Sequence, residues 1–301
     1  MNKRTYRFIS LCLMLAFALV LFCACSQNDS GSQNPQEPQI TTEQKEFNSL
    51  MGRINALENL SKTYNEDQYI NRVLVYIRSG KYNTQEWNVI GGEPDSEFDA
   101  YVLTNQTKTV SDLKQKDNFI IPKTKEKVDF VHFFATLNAV YYSSTYAYHD
   151  LSGWGGDLMQ LASSIKDTDK TGDVLYSYVK TLFNSNIGAF NDEDVCADLD
   201  ALNIGLKLKN KEQNLQIINE TIKEYYENFT RSNAKQMFIS NIFNKTYSTL
   251  GEFQDDVYTK VSRNMLLKMW GNKNGFDITQ TKNAEILKVC CNVFAEFLYA
   301  W

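Results

Sequence analysis

Apolar side chains recur every three or four positions along most of this chain, and that spacing predicts helices. Phe47, Leu50, Met51, Ile54, Leu57 and Leu60 share one face of a helix over 42–62. Ile70, Val73, Leu74 and Ile77 mark a second, capped by Asp67 and closed at Gly80. Short helices are expected over 84–90 and 95–103, then a polar loop over 104–127 in which Asn118 to Ile121 reads as a short strand. Further helices are predicted over 129–142, 158–166, 174–183, 191–202, 211–229, 232–244, 251–269 and 281–301. No proline follows Pro122, so nothing in the remaining 179 residues forces a break. The helix over 129–142 is apolar on most of its circumference, and such a helix belongs at the centre of a bundle. The expected fold is all-α or nearly so: a single multi-helix orthogonal bundle around a buried central helix, with at most a minor strand pair.

The N-terminal pattern is of another kind. Lys3, Arg4 and Arg7 precede an apolar run from Phe8 to Phe22 broken only by Ser10. That run is shorter than the roughly 18 residues of a spanning helix and has the length of a signal-peptide core. Leu21-Phe22-Cys23-Ala24-Cys25-Ser26 follows, and it resembles the lipobox of bacterial lipoproteins, with Phe22 where that class usually carries Leu. The resemblance covers residues 1–25 and implies cleavage before Cys25 and acylation of its thiol. The chain is then held in the bilayer by that lipid, on the extracytoplasmic face of the cell membrane. Residues 25–45 are polar and hold two of the four prolines, the composition of a disordered tether. The expected organisation is a signal peptide over 1–24, the tether over 25–45 and one mainly helical domain over 46–301.

Charge narrows the partners. Residues 1–24 contain three basic groups and no acid, so removing them takes the net charge from −5 to −8. An acidic surface with no basic run argues against nucleic acid and against electrostatic attraction to anionic envelope polymers. Cys196, Cys290 and Cys291 are odd in number and lack CxxC spacing, which speaks against a disulfide framework or a zinc ribbon. Glu220, Glu224 and Glu227 share one helical face, with Lys223 and Arg231 nearby, and read as a solvated surface.

Candidate chemistry concentrates in one stretch. The two histidines, His132 and His149, stand 17 residues apart. Asp129 and His132 share a helix face that continues through Thr136 and Ser143, a polar stripe on an apolar helix. Burying such groups costs free energy unless they find partners. The following segment supplies His149, Asp150, Trp154 and Asp157, with Gly153, Gly155 and Gly156 around the tryptophan.

Asp129, His132, His149 and Asp157 are the candidate catalytic residues, with Trp154 and Asp150 as substrate contacts. Two chemistries suit the set. His132 and His149 with one or two of the acids would bind a divalent metal; alternatively a carboxylate orients a histidine acting as general base, and no metal is required. The stretch holds no HExxH, phosphate-cradling loop or GxSxG elbow. Each residue also has a structural account. Asp129 and Asp157 are helix caps, His149-Asp150 is an exposed loop pair, and Trp154 plugs the core. The functional expectation is a membrane-anchored hydrolase acting on envelope or extracellular material. Its alternative is a non-catalytic lipoprotein binding a partner protein or small ligand. A two-lobed solute receptor ranks last, because its alternating strands and helices are missing.

Overall fold

Phe130, Val131, Phe133, Phe134, Leu137 and Val140 leave no polar face on the helix that carries them, so this helix can be satisfied only by neighbours on every side. The computed structural model describes residues 40–105, 108–143, 153–184, 192–210 and 217–300. The stretch expected as signal peptide, Cys25, nearly all of the expected tether, and His149 and Asp150 lie outside the described residues. From Thr41 onward the chain forms one unit. Its first helix, α1 (Thr42–Tyr64), begins inside the stretch expected to be tether, because the Thr41 side chain caps it by accepting from the Gln44 N–H at 3.2 Å.

Helices α2 (Tyr69–Arg78), α3 (Gln85–Gly91) and α4 (Ser96–Asn105) follow. Asp67 does not cap α2. Gln68 occupies that position in the left-handed conformation, and the Asp67 N–H instead closes a turn on the Asn65 side chain. The segment expected as loop contains a short α5 (Lys108–Ser111) and a 3-10 turn over Asp112–Gln115. It then forms the anticipated strand pair, β1 (Asn118–Ile120) antiparallel to β2 (Lys127–Asp129), with Phe119 opposite Val128.

The central helix is α6 (Phe130–Tyr142), buried from Phe130 through Val140. Beyond it come α7 (Trp154–Ser164), α8 (Gly172–Asn184), α9 (Asp192–Asn210), α10 (Ile217–Glu227) and α11 (Arg231–Phe243). The helix expected over 251–269 is two: α12 (Leu250–Arg263) and α13 (Met265–Lys273) meet at Asn264, whose side chain caps the second by accepting from the Leu266 and Leu267 N–H groups. The last helix is α14 (Thr281–Tyr299). The protein is thus mostly α-helical, with one two-stranded sheet among the described residues. No described helix is long and apolar enough to cross a membrane.

Two apolar cores share one wall. The first gathers α1, α2, β1, β2, the N-terminal part of α6 and α10. The second gathers α7, α8, α12, α14 and most of α11. Helix α9 serves both, with Ala197, Ala201 and Ile204 facing the first and Val195, Leu199 and Leu202 the second. It crosses close to α6 at Gly205, where an added Cβ would lie 2.8 Å from Val140 Cγ1. Polar groups carried by α6, α7 and α9 at this junction therefore meet away from bulk water.

Candidate active site

Asp129 ends β2 and opens α6. Its Oδ1 accepts from the His132 backbone N–H at 2.7 Å, the hydrogen bond of an N-cap, and its Oδ2 lies 3.4 Å from Lys81 Nζ. Both oxygens are thus engaged at the helix start, and the carboxylate expected to take part in catalysis acts as a cap that fixes where His132 begins the helix.

His132, 5% exposed, points inward toward α7 and α9. Its Nε2 lies 3.2 Å from Asp198 Oδ1 and 3.5 Å from Asp157 Oδ2, while its Nδ1 lies 3.5 Å from Asp194 Oδ1. Asp194 and Asp198 are one turn apart on α9 and present the same face. Thr136, one turn further along α6, donates to Asp198 Oδ1 at 2.8 Å, so the polar stripe read along α6 does converge on a partner. The Tyr82 ring leans over the imidazole at 5.7 Å between centroids. Among the described residues no lysine or arginine forms an ion pair with Asp157 or Asp198; Oδ2 of each is buried, and the two carboxyls are hydrogen-bonded to each other.

Burial opposes a charge on His132, but Asp198 and Asp157 outweigh it and push the imidazole up to about 10. Burial likewise raises Asp198, to about 6, and lifts Asp157 well above the usual carboxylate range, where His132 opposes the shift and Asp198 and Asp194 add to it. Burial, reinforced by Asp129, Asp157, Asp194 and Asp198, keeps the Tyr82 phenol protonated.

Asp157 does not cap its helix. Helix α7 starts three residues earlier, with Gly153 as N-cap, and Asp157 sits inside the first turn. The early start depends on Gly153, whose φ of +81° suits glycine and whose Cβ, were it present, would lie 2.2 Å from Asp198 Oδ1. The backbone turn is laid directly against the Asp198 carboxylate. Trp154 is not a substrate platform. It is fully buried, stacked on Phe294 at 5.3 Å and edge-on to Phe238 at 5.8 Å. Its glycine flank serves the turn before α7, not access to the ring. Cys290 and Cys291 are buried, and no disulfide joins them to each other or to Cys196 among the described residues. Glu220, Glu224 and Glu227 are exposed, as their mixed-charge face suggested.

A cleft of about 510 Å³ reaches the cluster through Asp157. Trp87, Val89 and Ile90 of α3 form one wall, Leu266, Leu267 and Trp270 of α13 the other, and Gly153, Gly156, Asp157 and Gln160 the floor. Glu86 and Lys273 pair across the rim at 2.9 Å. Helix α3 is held by Arg78, a fully buried guanidinium with carbonyl partners: Nε donates to Asn138 Oδ1 at 2.7 Å, and the Nη groups donate to Tyr82 O, Asn88 Oδ1 and Gly92 O. Asn138 in turn donates to Gly91 O at 3.0 Å.

Sequence reasoning found His132 and Asp157 and missed Asp194 and Asp198. The available signal was an acid in the middle of an apolar run, Val195-Cys-Ala-Asp-Leu, one turn after another acid.

Fold and cluster together define a mainly helical protein with a buried histidine–aspartate constellation at the end of an apolar-walled cleft. A family profile described as YkzU uncharacterised protein matches residues 134–300, more than half of the chain, and the chain belongs to that family. The Bacillus subtilis (strain 168) protein named Uncharacterized protein YkzU is 26% identical over 167 residues, covering 54% of this chain and 95% of its own length. No solved structure matches. The matched stretch contains Asp157, Asp194 and Asp198 and begins two residues after His132.

Proposed function

We propose that this protein is a lipid-anchored, extracytoplasmic hydrolase whose reaction centre is His132, Asp157 and Asp198. One observation carries the reading: the Asp157 and Asp198 carboxyls and an imidazole converge, with no lysine or arginine paired to either acid among the described residues, where an apolar-walled cleft meets Asp157. Buried acids without a full counter-charge are rare in stable folds and concentrate where a ligand or reacting group completes them. In hydrolysis a water bound at Asp157 gives a proton to the cluster as its oxygen attacks the substrate's electrophilic centre, and the cluster returns a proton to the leaving group. The anchor part of the reading rests on the lipobox-like Leu21–Ser26 and the polar stretch after it.

Apolar walls at the cleft also favour a second reading, capture of a ligand without turnover. Purified full-length protein should hydrolyse at least one member of a panel of chromogenic carboxyl esters, phosphoesters and amides, and Asp157→Asn should abolish it with the helical circular dichroism retained. Binding of panel compounds without turnover selects the second reading. The anchor is tested separately: Cys25→Ser should lose incorporation of labelled palmitate and leave the membrane fraction, and labelling that persists overturns it.

A further inference from the structure

We propose that His132 Nε2, Asp157 and Asp198 are the protein ligands of a divalent first-row transition ion, zinc being the natural probe, with Asp194 as the residue that orients the imidazole. This deepens the hydrolase reading by naming what would activate the water, though the binding itself does not depend on turnover.

The donor set supports it first by geometry. Metal–nitrogen and metal–oxygen bonds of about 2.0–2.2 Å in a tetrahedral site put neighbouring ligand atoms roughly 3.3–3.6 Å apart. Asp198 Oδ1 and Asp157 Oδ2 lie 3.2 and 3.5 Å from Nε2, and one donor atom from each of the three residues falls within 4.8 Å of the others. An ion between them needs ångström-scale side-chain adjustment and no movement of helices.

Charge balance supports it next. Asp198 is fully buried, its carboxyl is hydrogen-bonded to that of Asp157, and among the described residues no lysine or arginine is paired with either, so His132 alone stands against two acids. A divalent cation supplies the counter-charge that these acids lack.

The surroundings have the organisation of a metal centre. Asp194 faces the imidazole nitrogen opposite to the coordinating one, the usual carboxylate–histidine arrangement that fixes the tautomer. Thr136 holds Asp198 from the other side. Asp157 lines the cleft, which gives the centre its side toward substrate, while its Oδ2 is turned inward to His132. An imidazole among carboxylates favours a transition ion over magnesium or calcium, which prefer oxygen alone.

The test uses the full-length lipoprotein in detergent, stripped by a chelator and then titrated with zinc, with magnesium for comparison. One zinc per chain should bind at micromolar affinity or tighter, and magnesium at least about 100-fold more weakly. Asp194→Asn should weaken zinc about 10–100-fold, His132→Gln or Asp157→Asn should remove the site, and Asp129→Asn should leave it intact. Because the chain also has thiols, the cobalt-substituted protein serves as a second readout: nitrogen and oxygen ligation gives weak visible bands, thiolate ligation an intense near-ultraviolet band. Absence of stoichiometric zinc overturns the proposal, as does zinc retained in His132→Gln or a thiolate signature. Zinc bound without turnover leaves this site standing and removes the hydrolase reading; turnover with no stoichiometric zinc bound leaves the hydrolase reading and removes the site.

Discussion

Asp198 and Asp200 sit two residues apart on α9, both fully buried, and their surroundings are opposite. Every direction around Asp200 is filled. Arg231 donates to both of its oxygens at 2.9 and 3.3 Å, Tyr225 donates to Oδ1 at 2.7 Å and Tyr226 to Oδ2 at 3.0 Å. Arg231 is anchored in turn by Glu126, and Tyr225 by Asn203. Asp198 has one threonine, the Asp157 carboxyl and a histidine shared with Asp157, and among the described residues no lysine or arginine pairs with it. Helical periodicity explains how neighbours on one helix reach different surroundings, since a two-residue step rotates a side chain by about 200°. A closed network of this kind holds the fold; an open one has capacity left for something else. Glu58 supplies a third case: it is 1% exposed, with no lysine or arginine ion pair among the described residues. Burial raises its carboxyl to about 7, against weaker opposing pulls from Lys62 and the Ile217 amide.

The largest expected effect follows from opening the closed network. Arg231→Met strands a buried carboxylate and should cost about 3–5 kcal/mol in urea unfolding; a loss below about 1 kcal/mol would erase the distinction between the two acids. Gly153→Ala comes next. It forces a Cβ to within 2.2 Å of Asp198 Oδ1 at a positive φ, and a loss of roughly 2–4 kcal/mol is expected, with a lowered melting temperature. An unchanged melting temperature would mean that the turn does not rest on Asp198.

Glu58→Gln separates a buried acid with no role from one with a site. The folded carboxyl keeps its proton up to about 7, whereas an ordinary glutamate loses it near 4.5. The folded state therefore binds the extra proton in that window, and wild-type stability falls as pH rises through it. The two proteins should be equally stable at pH 4, and Glu58→Gln more stable by roughly 3 kcal/mol at pH 8. A difference independent of pH refutes this account of Glu58.

Asp198→Asn should move stability least, by under about 1 kcal/mol, because lost repulsion from Asp157 offsets the lost contact with His132. Activity, in contrast, should fall at least about 100-fold. A large loss of stability would place Asp198 with Asp200 as a structural acid.

What the sequence disclosed follows the reach of its signals. The central helix was legible because Phe130 to Val140 leave no solvent face and Asp129 is a capping residue, both local facts. His132 and Asp157 were found through proximity in the chain. Asp198 lies 62 residues beyond Thr136, its hydrogen-bond partner, and no periodicity reports such a pairing. Its neighbours concealed it further, since Asp192-Glu-Asp reads as the acidic first turn of a helix, and that helix, expected to end at 202, in fact continues to Asn210. Gly205 stays in the helix because Val140 of α6 leaves no room for a side chain. Trp154 misled in the other direction, because glycines beside an aromatic fit a binding platform as well as a tight turn.

The two walls of the cleft are unequally fastened. Helix α3 is riveted to the central helix by the buried Arg78 guanidinium, whose hydrogen bonds must break together before that wall can shift. Across the mouth, α13 is tied to α3 by Glu86 and Lys273, half and more exposed to solvent, a link of the kind that salt weakens readily. Raising the ionic strength should therefore loosen the link across the mouth while leaving the α3 wall in place.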